Sequence, residues 1–201
     1  MPFVENTRKP VGFGGKLMVA AMNLGHQALA RWGLGFLNVG PEAEILDCGC
    51  GGGANLHALL KRCPKGTAVG LDYSPVSVAA SRKKNRAAIA AGRCRVEQGD
   101  VSALPFEDEK FDLATAFETV YFWPDLGGSF REVYRVLKPG GTFLICNESN
   151  GDTDRDEKWA KIIGGMTIYK DIELKAYLEQ AGFHEVQIHK KKSWLCVTAR
   201  K

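Results

Sequence analysis

Hydrophobic and polar positions along this chain follow two different spacings that alternate. Short runs that favour strands, some apolar and some alternating between apolar and polar residues, cover residues 44–48, 68–71, 94–98, 113–117, 142–147, 184–189 and 194–199. Longer stretches with helical spacing lie between them, at residues 55–63, 75–91, 125–137 and 172–181. Strands that alternate with helices in this way predict an α/β protein with a mostly parallel sheet and helices on both faces.

The two ends of the chain depart from this alternation. Residues 17–37 carry apolar side chains at mixed helical spacing, which predicts one or two helices that end near Gly33 or Gly35. We expect residues 1–40 to form an N-terminal helical cap and residues 41–201 to form the main domain. At the other end, two strand patterns flank residues 190–193 and predict an antiparallel hairpin.

Local signals mark three boundaries. Ser74 and Pro75 begin one helix, because serine caps a first turn and proline fits the first helical position. Residues 138–141, Lys-Pro-Gly-Gly, end another helix and turn into the next strand. Residues 152–169 interrupt the alternation before the last helix. Their apolar side chains, Trp159 and Met166 among them, form either a lid over a substrate or ordinary packing.

The most informative segment is a glycine-rich turn at residues 45–55, Ile-Leu-Asp-Cys-Gly-Cys-Gly-Gly-Gly-Ala-Asn. It follows a strand pattern and opens a helix pattern, which places a ligand at the carboxyl edge of the sheet. Glycine allows the backbone to turn sharply and to approach a ligand closely. The spacing of Gly49, Gly51 and Ala54 also fits a dinucleotide-binding turn. Asp47 favours an ammonium or sulfonium group over a pyrophosphate, because a carboxylate attracts a cation and repels an anion.

Two further aspartates end strand patterns. Asp72 closes the second strand, where an acid can accept hydrogen bonds from both hydroxyls of a ribose; a helix N-terminal acid is the alternative. Asp100 follows the third strand and can accept a hydrogen bond from the exocyclic amine of adenine, with the Val101 N–H donating to a ring nitrogen. A plain turn aspartate is the alternative for Asp100.

Composition narrows the class of protein without naming it. The length of 201 residues and a composition of 45% hydrophobic and 25% charged residues suit one globular domain. The formal net charge is +4. The basic runs at residues 82–84 and 190–192 are typical of solvated faces, so nucleic acid is not expected as a partner. No apolar run approaches the ~20 residues of a membrane span, and the first residues lack a signal-peptide pattern, so we expect a cytoplasmic protein.

The six cysteines do not have the spacing of a metal or disulfide framework. Cys48 and Cys50 form a pair, but no second cysteine pair or histidine pair supplies further ligands for zinc. We therefore expect reduced thiols and no metal.

Five segments together resemble the class I S-adenosylmethionine-dependent methyltransferases. They are residues 45–51, 70–74 (Gly-Leu-Asp-Tyr-Ser), 98–106, 111–113 (Phe-Asp-Leu) and 136–141, in the order of the family. The resemblance covers roughly residues 41–200 and is nearest to the subgroup that methylates quinones and sterols. It implies a Rossmann-like, doubly wound sheet of seven strands in the order 3-2-1-4-5-7-6, with the last strand antiparallel, and S-adenosylmethionine as the cofactor.

The resemblance also implies a role for each matching residue. Asp47, Gly49 and Gly51 would line the methionine part, Asp72 and Tyr73 the ribose and adenine, and Glu118 the methionine amine or sulfonium. The full set implied for the cofactor is Asp47, Cys48, Gly49, Cys50, Gly51, Asn55, Asp72, Tyr73, Ser74, Gly99, Asp100, Val101, Phe117, Glu118 and Thr119. Glu118 also fits a solvated acid at a strand end.

Methyl transfer from a sulfonium is a direct displacement that depends mainly on positioning, and it needs a base only if the acceptor is still protonated. His26, Tyr121 and Glu148 are candidates for a base, although a lone histidine is also typical of packing. Candidates for the substrate wall are Met22, His26, Tyr121, Phe122, Trp123, Trp159 and Met166. The aromatic residues among them fit a core role equally well.

The sequence therefore predicts a methyltransferase that acts on a small-molecule acceptor, as a monomer or homodimer. Members of this family that methylate the amino groups of nucleic-acid bases carry an Asn/Asp-Pro-Pro-aromatic motif at the position where this chain has Glu118-Thr119-Val120-Tyr121. Nucleic acid is therefore the less favoured acceptor. Two alternatives stay open: a regulatory module that binds S-adenosylmethionine without turnover, and a nicotinamide-dependent oxidoreductase. Asp47 and the terminal hairpin speak against the oxidoreductase.

Overall fold

A single mixed sheet organises the protein. The computed structural model describes residues 10–201, apart from the side chains at positions 13, 16, 20–24, 154, 155 and 157. Within this range, seven strands lie in the order β3-β2-β1-β4-β5-β7-β6. The strands are β1 (Glu44–Cys48), β2 (Thr67–Asp72), β3 (Cys94–Gln98), β4 (Phe111–Phe117), β5 (Leu137–Asn147), β6 (His184–Lys191) and β7 (Trp194–Arg200). The pairs β1/β2, β1/β4, β2/β3 and β4/β5 are parallel, whereas β7 is antiparallel to both β5 and β6. The predicted strand order and terminal antiparallel strand are confirmed.

Eight α-helices accompany these strands in the described part of the chain. They are α1 (Gly12–Gly25), α2 (Gln27–Leu34), α3 (Ala54–Arg62), α4 (Pro75–Lys84), α5 (Arg86–Ala90), α6 (Leu126–Val136), α7 (Asp154–Ile162) and α8 (Asp171–Gln180). Two short 3₁₀ turns, Val101–Ala103 and Val120–Phe122, follow β3 and β4. None of the helices in residues 10–201 combines the length and hydrophobicity that crossing a bilayer requires.

The helices cover both faces of the sheet, which explains why the central strands β1, β2 and β4 are buried along nearly their whole length. Phe130 of α6 and Leu174 of α8 pack on one face. Leu29 of α2 and Leu59 of α3 pack on the other. Each such fully buried side chain contributes about 1.5–3 kcal/mol to stability. The sheet is thus a rigid platform whose carboxyl edge stays open between the two layers.

Several predicted boundaries differ from the structure, and two of these differences have identifiable reasons. The helix predicted over residues 75–91 is divided into α4 and α5 at Asn85, a buried residue with φ −102° and ψ 17°. The Asn85 side chain donates hydrogen bonds to the carbonyls of Gly53 and Ser81, which holds it at this break. Strand β5 begins at Leu137 rather than at Thr142, because Leu137 already pairs with Phe111. The register between β4 and β5 then shifts, and the Lys-Pro-Gly-Gly segment lies within this irregularity.

Candidate functional site

A cavity of about 490 Å³ lies at the carboxyl edge of the sheet, a volume typical of small-molecule sites. Strands β1, β2 and β4 run parallel, so their carboxyl ends meet at this edge. The glycine turn after β1, Asp72 at the end of β2 and Glu118 after β4 form one side of the wall. Val19, His26 and Leu29 from the α1–α2 region form the other. The N-terminal helices therefore complete the cavity.

The first half of the glycine turn fits tightly against the rest of the protein. The backbone N–H groups of Gly49 and Cys50 both donate to the Leu71 carbonyl, at 2.8 and 3.0 Å. Gly49 has φ +77°, and a Cβ at this position would lie 2.2 Å from Thr119 Oγ1. Both the backbone conformation and the lack of space require glycine here.

The second half of the turn is open. Gly51 has φ +50°, and a Cβ built on it would meet no protein atom within 4 Å. Gly51 also lines the cavity, so the absent side chain leaves room for a ligand against bare backbone. This is a cradle that any side chain at position 51 would partly fill.

Asp72 ties the glycine turn to the end of β2. Its Oδ2 accepts a hydrogen bond from Gly51 N and its Oδ1 accepts one from Ser74 N, both at 2.9 Å. Burial raises the pKa of Asp72, and these two hydrogen bonds oppose that rise. A carboxylate has about four acceptor positions, so Asp72 can still accept hydrogen bonds from ligand hydroxyls in the cavity.

Asp100 lies on the side of the cavity that follows β3. It is exposed and lines the cavity together with Gly99 and Val101. Its Oδ1 accepts hydrogen bonds from the Ser102 backbone N–H at 2.9 Å and from the Ser102 hydroxyl at 2.8 Å. Asp100 thus caps the 3₁₀ turn while its carboxylate borders the cavity.

Glu118 brings a carboxylate to the opposite end. It adopts φ +58°, and its Oε1 accepts hydrogen bonds from Glu148 N and, at 3.2 Å, from Tyr121 Oη. Burial raises the pKa of Glu118 to about 8. His26 Nε2 lies 3.9 Å from Glu118 Oε2 and 3.6 Å from Glu148 Oε2. Burial lowers the pKa of His26, against the opposing effect of Glu148.

Comparison with known proteins agrees with this geometry. The sequence model of the family described as "Methyltransferase domain" matches residues 46–145. The cycloartenol-C-24-methyltransferase of Arabidopsis thaliana is 32% identical over 160 residues, which cover 75% of this chain and 47% of the relative. The demethylmenaquinone methyltransferase of Roseiflexus castenholzii is 35% identical over 147 residues, 73% of this chain and 60% of the relative. The chain belongs to the class I S-adenosylmethionine-dependent methyltransferases.

Solved structures place this methyltransferase in the same fold. A Haloferax volcanii protein solved in complex with the Trm112 methyltransferase activator superimposes with a TM-score of 0.82 at 22% identity, covering 99% of this chain and 97% of that one. A methyltransferase from Aquifex aeolicus gives 0.76 at 19% identity, covering 92% and 97%. At these identities the likeness concerns the fold. The chain spans about half the length of the curated relatives it matches.

S-adenosylmethionine is the cofactor of this family, and the residues of this methyltransferase fit it. Gly51 leaves a cradle that a Cβ would fill. Beneath the turn, Asp47 is 1% exposed, and its Oδ2 has no hydrogen-bond partner among the described residues. Three further carboxylates, those of Asp72, Asp100 and Glu118, line the cavity. Such a site suits a ligand that carries hydroxyls, an amine and a positive charge.

Most residues predicted to bind the cofactor lie on the cavity wall. They are Gly49, Cys50, Gly51, Asn55, Asp72, Tyr73, Gly99, Asp100, Val101, Phe117, Glu118 and Thr119. Their roles toward the cofactor stay predictions, although the fold brings all of them to one cavity. The pattern of the motifs was sufficient because each of them ends a strand at the same sheet edge.

Three predicted cofactor residues do not reach the wall. Asp47 lies beneath it, where its Oδ1 accepts a hydrogen bond from Thr115 Oγ1 at 2.7 Å. Cys48 is fully buried in the core under the turn, where burial raises the pKa of its thiol. Ser74 is also fully buried: it caps α4 by accepting from Ser77 N, and its hydroxyl donates to the Pro10 carbonyl. These side chains shape the site without forming its surface.

Only some of the side chains predicted for the substrate wall line this cavity. His26, Phe122 and Trp123 line the cavity, but Trp123 is mainly a core residue whose ring stacks on Phe143. Its indole N–H donates to Thr119 Oγ1 at 3.0 Å, so it also braces the wall. The side chain of Met22 lies outside the described residues.

Trp159, Met166 and Tyr121 do not line the cavity. Among the described residues of the segment 152–169, Gly165 alone does. Trp159 lies on α7 with 37% of its surface exposed, an arrangement nearer to the alternative of ordinary packing than to a lid. Tyr121 is 3% exposed and lies behind the wall. The sequence could not separate these cases, because an apolar residue after a strand fits either the core or a ligand.

Several wall residues were not predicted at all. Val19, Leu29 and Ala30 from α1 and α2, Pro10 before them and Ser77 from α4 line the cavity. The only sequence signal for Leu29 and Ala30 was their place in an apolar helical pattern, which is equally typical of core packing. Gly33, one turn after Leu29 and Ala30, allows α2 to approach β5 closely. A Cβ there would lie 2.5 Å from Cys146 Sγ.

Tyr121→Phe is expected to destabilise the methyltransferase by about 1–2 kcal/mol while leaving its cofactor affinity nearly unchanged. The Tyr121 hydroxyl accepts from Ser149 N at 3.1 Å and reaches Glu118 Oε1 and the Ser149 carbonyl, so its loss leaves buried groups unpaired. Urea unfolding measures the stability. Tyr177→Phe, at a tyrosine that is 37% exposed, should cost much less. Equal losses in both variants would refute the stabilising role of the Tyr121 hydroxyl.

Asp47→Asn is expected to stabilise the ligand-free protein at pH 8 by about 2 kcal/mol. Burial is the main cause that raises the pKa of Asp47, from 3.8 to about 7. The folded state therefore holds the Asp47 proton more tightly than the unfolded state, and wild-type stability falls as pH rises through this interval. The advantage of the variant should shrink between pH 8 and pH 6 in urea unfolding. Asp112→Asn, at a half-exposed acid paired with Lys138, is the matched control. No gain from Asp47→Asn at pH 8 would contradict the burial argument.

Proposed function

We propose that this methyltransferase transfers a methyl group from S-adenosylmethionine to a small-molecule acceptor by direct displacement. The observation that carries the proposal is the charge of the cavity wall beside the glycine turn. Among the described residues, the wall contains the carboxylates of Asp72, Asp100 and Glu118 and no lysine or arginine. A cationic nucleoside suits this wall, whereas the pyrophosphate of a nicotinamide cofactor would meet repulsion.

Each end of the cavity has a separate task in this proposal. Asp72 accepts hydrogen bonds from the ribose hydroxyls, while Asp100 and the Val101 N–H recognise the edge of adenine. Gly49 and Gly51 allow the methionine part to lie against the backbone. Asp47 contributes negative charge from beneath the turn rather than a direct contact.

When bound, the cofactor would supply an electrophilic methyl group and, as the bond from the acceptor to the methyl carbon forms and the sulfur–methyl bond breaks, a neutral thioether leaving group. The chain would therefore need no general acid. The chain holds the acceptor in line and excludes water. Positioning of this kind can lower a barrier by about 7–11 kcal/mol.

The acceptor side of the cavity supports an apolar substrate. Leu29 and Ala30 from α2 and Phe117, Phe122 and Pro124 from the sheet edge contribute apolar surface to the wall. The relatives named above methylate cycloartenol and demethylmenaquinone by their names. We propose a small acceptor with an apolar body, and we assign it no individual identity.

The test is transfer of labelled methyl from S-adenosylmethionine into a metabolite extract. We expect label in a small molecule that partitions into organic solvent, and loss of that label with the Asp72→Ala variant. Label in protein or nucleic acid instead would contradict the acceptor class. Binding of S-adenosylhomocysteine without any labelled product would favour a regulatory module that lacks turnover.

A further inference from the structure

Three side chains of metal-ligating types converge beside the cavity from separate parts of the chain. His26 connects α1 to α2, Glu118 follows β4, and Glu148 follows β5. One ligand atom from each residue lies within 4.8 Å of the other two. We propose that His26, Glu118 and Glu148 bind one divalent transition-metal cation of the zinc class. The sequence indicated no metal because it has no neighbouring pairs of cysteines or histidines with zinc-ligand spacing, whereas the fold assembles these ligands from distant positions.

The distances suit a cation with little rearrangement. Zinc binds histidine nitrogen and carboxylate oxygen at about 2.0–2.2 Å, so ligand atoms around a tetrahedral ion lie about 3.3–3.6 Å apart. The Nε2 atom of His26 lies 3.6 Å from Glu148 Oε2 and 3.9 Å from Glu118 Oε2. Both pairs that involve His26 thus lie within a few tenths of an ångström of this range, and the Glu118–Glu148 pair lies within 4.8 Å. Three protein ligands leave a fourth position, as in catalytic rather than structural zinc sites.

Groups outside the ligand set orient Glu118. Tyr121 Oη and the Glu148 backbone N–H both donate to Oε1 of Glu118, and they leave Oε2 facing His26. Outer hydrogen bonds of this kind fix the orientation of a ligating carboxylate in metal sites. Tyr121 itself is held in place because its hydroxyl accepts from Ser149 N at 3.1 Å.

The local charge also calls for a cation. Among the ion pairs of the described residues, Glu118 and Glu148 pair with His26 and with no lysine or arginine. Two carboxylates beside one imidazole form a site that a dication would neutralise. The nitrogen ligand favours zinc, cobalt or iron over magnesium and calcium, which prefer oxygen ligands alone.

The position of the cluster assigns the cation a role on the acceptor side. Both His26 and Glu118 line the cavity, so the fourth position is accessible from it. A cation there would bind an acceptor oxygen and lower the pKa of its hydroxyl, so that the hydroxyl proton would pass to solvent water and the oxygen would become the nucleophile without a side-chain base. This role rests on the proposed methyl transfer, whereas binding of the cation does not.

The test is titration of the metal-stripped chain with Co²⁺, followed by visible absorption, and with Zn²⁺, followed by calorimetry. We expect one cation per chain, and affinity at least about 100-fold weaker in His26→Ala and in Glu148→Gln. His57→Ala, at a half-buried histidine of α3 that does not line the cavity, is the matched control and should bind as the wild type does. Titration of the same variants with S-adenosylhomocysteine shows, independently of the metal, whether each variant folds and keeps its cofactor site.

Two results would overturn the proposal. Equal zinc affinity in the wild type and in His26→Ala would show that these residues do not bind the cation. His26 would then be a proton acceptor beside Glu148. An intense cobalt–thiolate absorption band would assign the cation to cysteines, all six of which are buried thiols. If S-adenosylhomocysteine also failed to bind the wild type, the proposed function would fail independently of the metal.

Discussion

Asp72→Ala is expected to weaken binding of S-adenosylhomocysteine by about 100-fold or more. The carboxylate of Asp72 lines the cavity and can accept both ribose hydroxyls, and a hydrogen bond to a charged group contributes about 1.5–3 kcal/mol. Its loss also releases Gly51 N and Ser74 N, which it holds at 2.9 Å, so the glycine turn loses its tie to β2. About 3 kcal/mol corresponds to a factor of more than 100 in affinity. Isothermal titration calorimetry measures the change directly.

A matched control separates this effect from general destabilisation. Asp112→Ala also removes a partly buried carboxylate, one that accepts from Glu44 N at 2.8 Å and pairs with Lys138. Asp112 lies near the start of β4, at the opposite edge of the sheet from the cavity. This variant should lose stability but keep its affinity. An Asp72→Ala protein that folds and binds the ligand as the wild type does would refute the ribose role.

Gly51→Ala is expected to weaken the same binding by about 30-fold. The added methyl group would enter the cavity rather than contact protein, because no protein atom lies within 4 Å of an ideal Cβ. Overpacking a fitted site typically costs about 1–3 kcal/mol. The left-handed conformation, φ +50°, costs roughly a further 1–2 kcal/mol of stability in the free and bound states alike.

Gly92→Ala is the control for the backbone contribution. Gly92 has φ +71° and equally open surroundings, but it lies in an exposed turn before β3, away from the cavity. Both variants should lose similar stability in urea unfolding, and only Gly51→Ala should lose affinity. Equal affinities in the two variants would show that the ligand does not approach the turn at Gly51.

The sheet could be predicted because its signals are local. Each buried strand is a short apolar run, and the helices between them carry caps such as Ser74 with Pro75. The strand order and the antiparallel last strand came from the family resemblance together with the hairpin pattern, and both are confirmed. The break at Asn85 was missed because a buried side chain fixes it by reaching the carbonyl of Gly53, 32 positions away. Tertiary contacts of this kind leave no periodic signal.

The site divides in the same way. Residues that end strands at the carboxyl edge, such as Gly51, Asp72 and Asp100, could be located from their motifs. The motifs could not show whether a residue lies on the cavity surface or beneath it. They placed Asp47 and Cys48 on the wall, although the turn covers both residues. The wall supplied by Leu29 and Ala30, and the meeting of His26 with Glu118 and Glu148, depend on how the N-terminal helices pack on the sheet. Spacing along the sequence contains no information about that packing.

We expect this cavity to bind the nucleoside of S-adenosylmethionine and not a dinucleotide. Calorimetric titration of the 201-residue chain with S-adenosylhomocysteine and, separately, with NAD distinguishes the two ligands. One S-adenosylhomocysteine should bind per chain, and NAD should give no measurable heat of binding. Absence of S-adenosylhomocysteine binding at millimolar concentration, or equal binding of NAD, would contradict it.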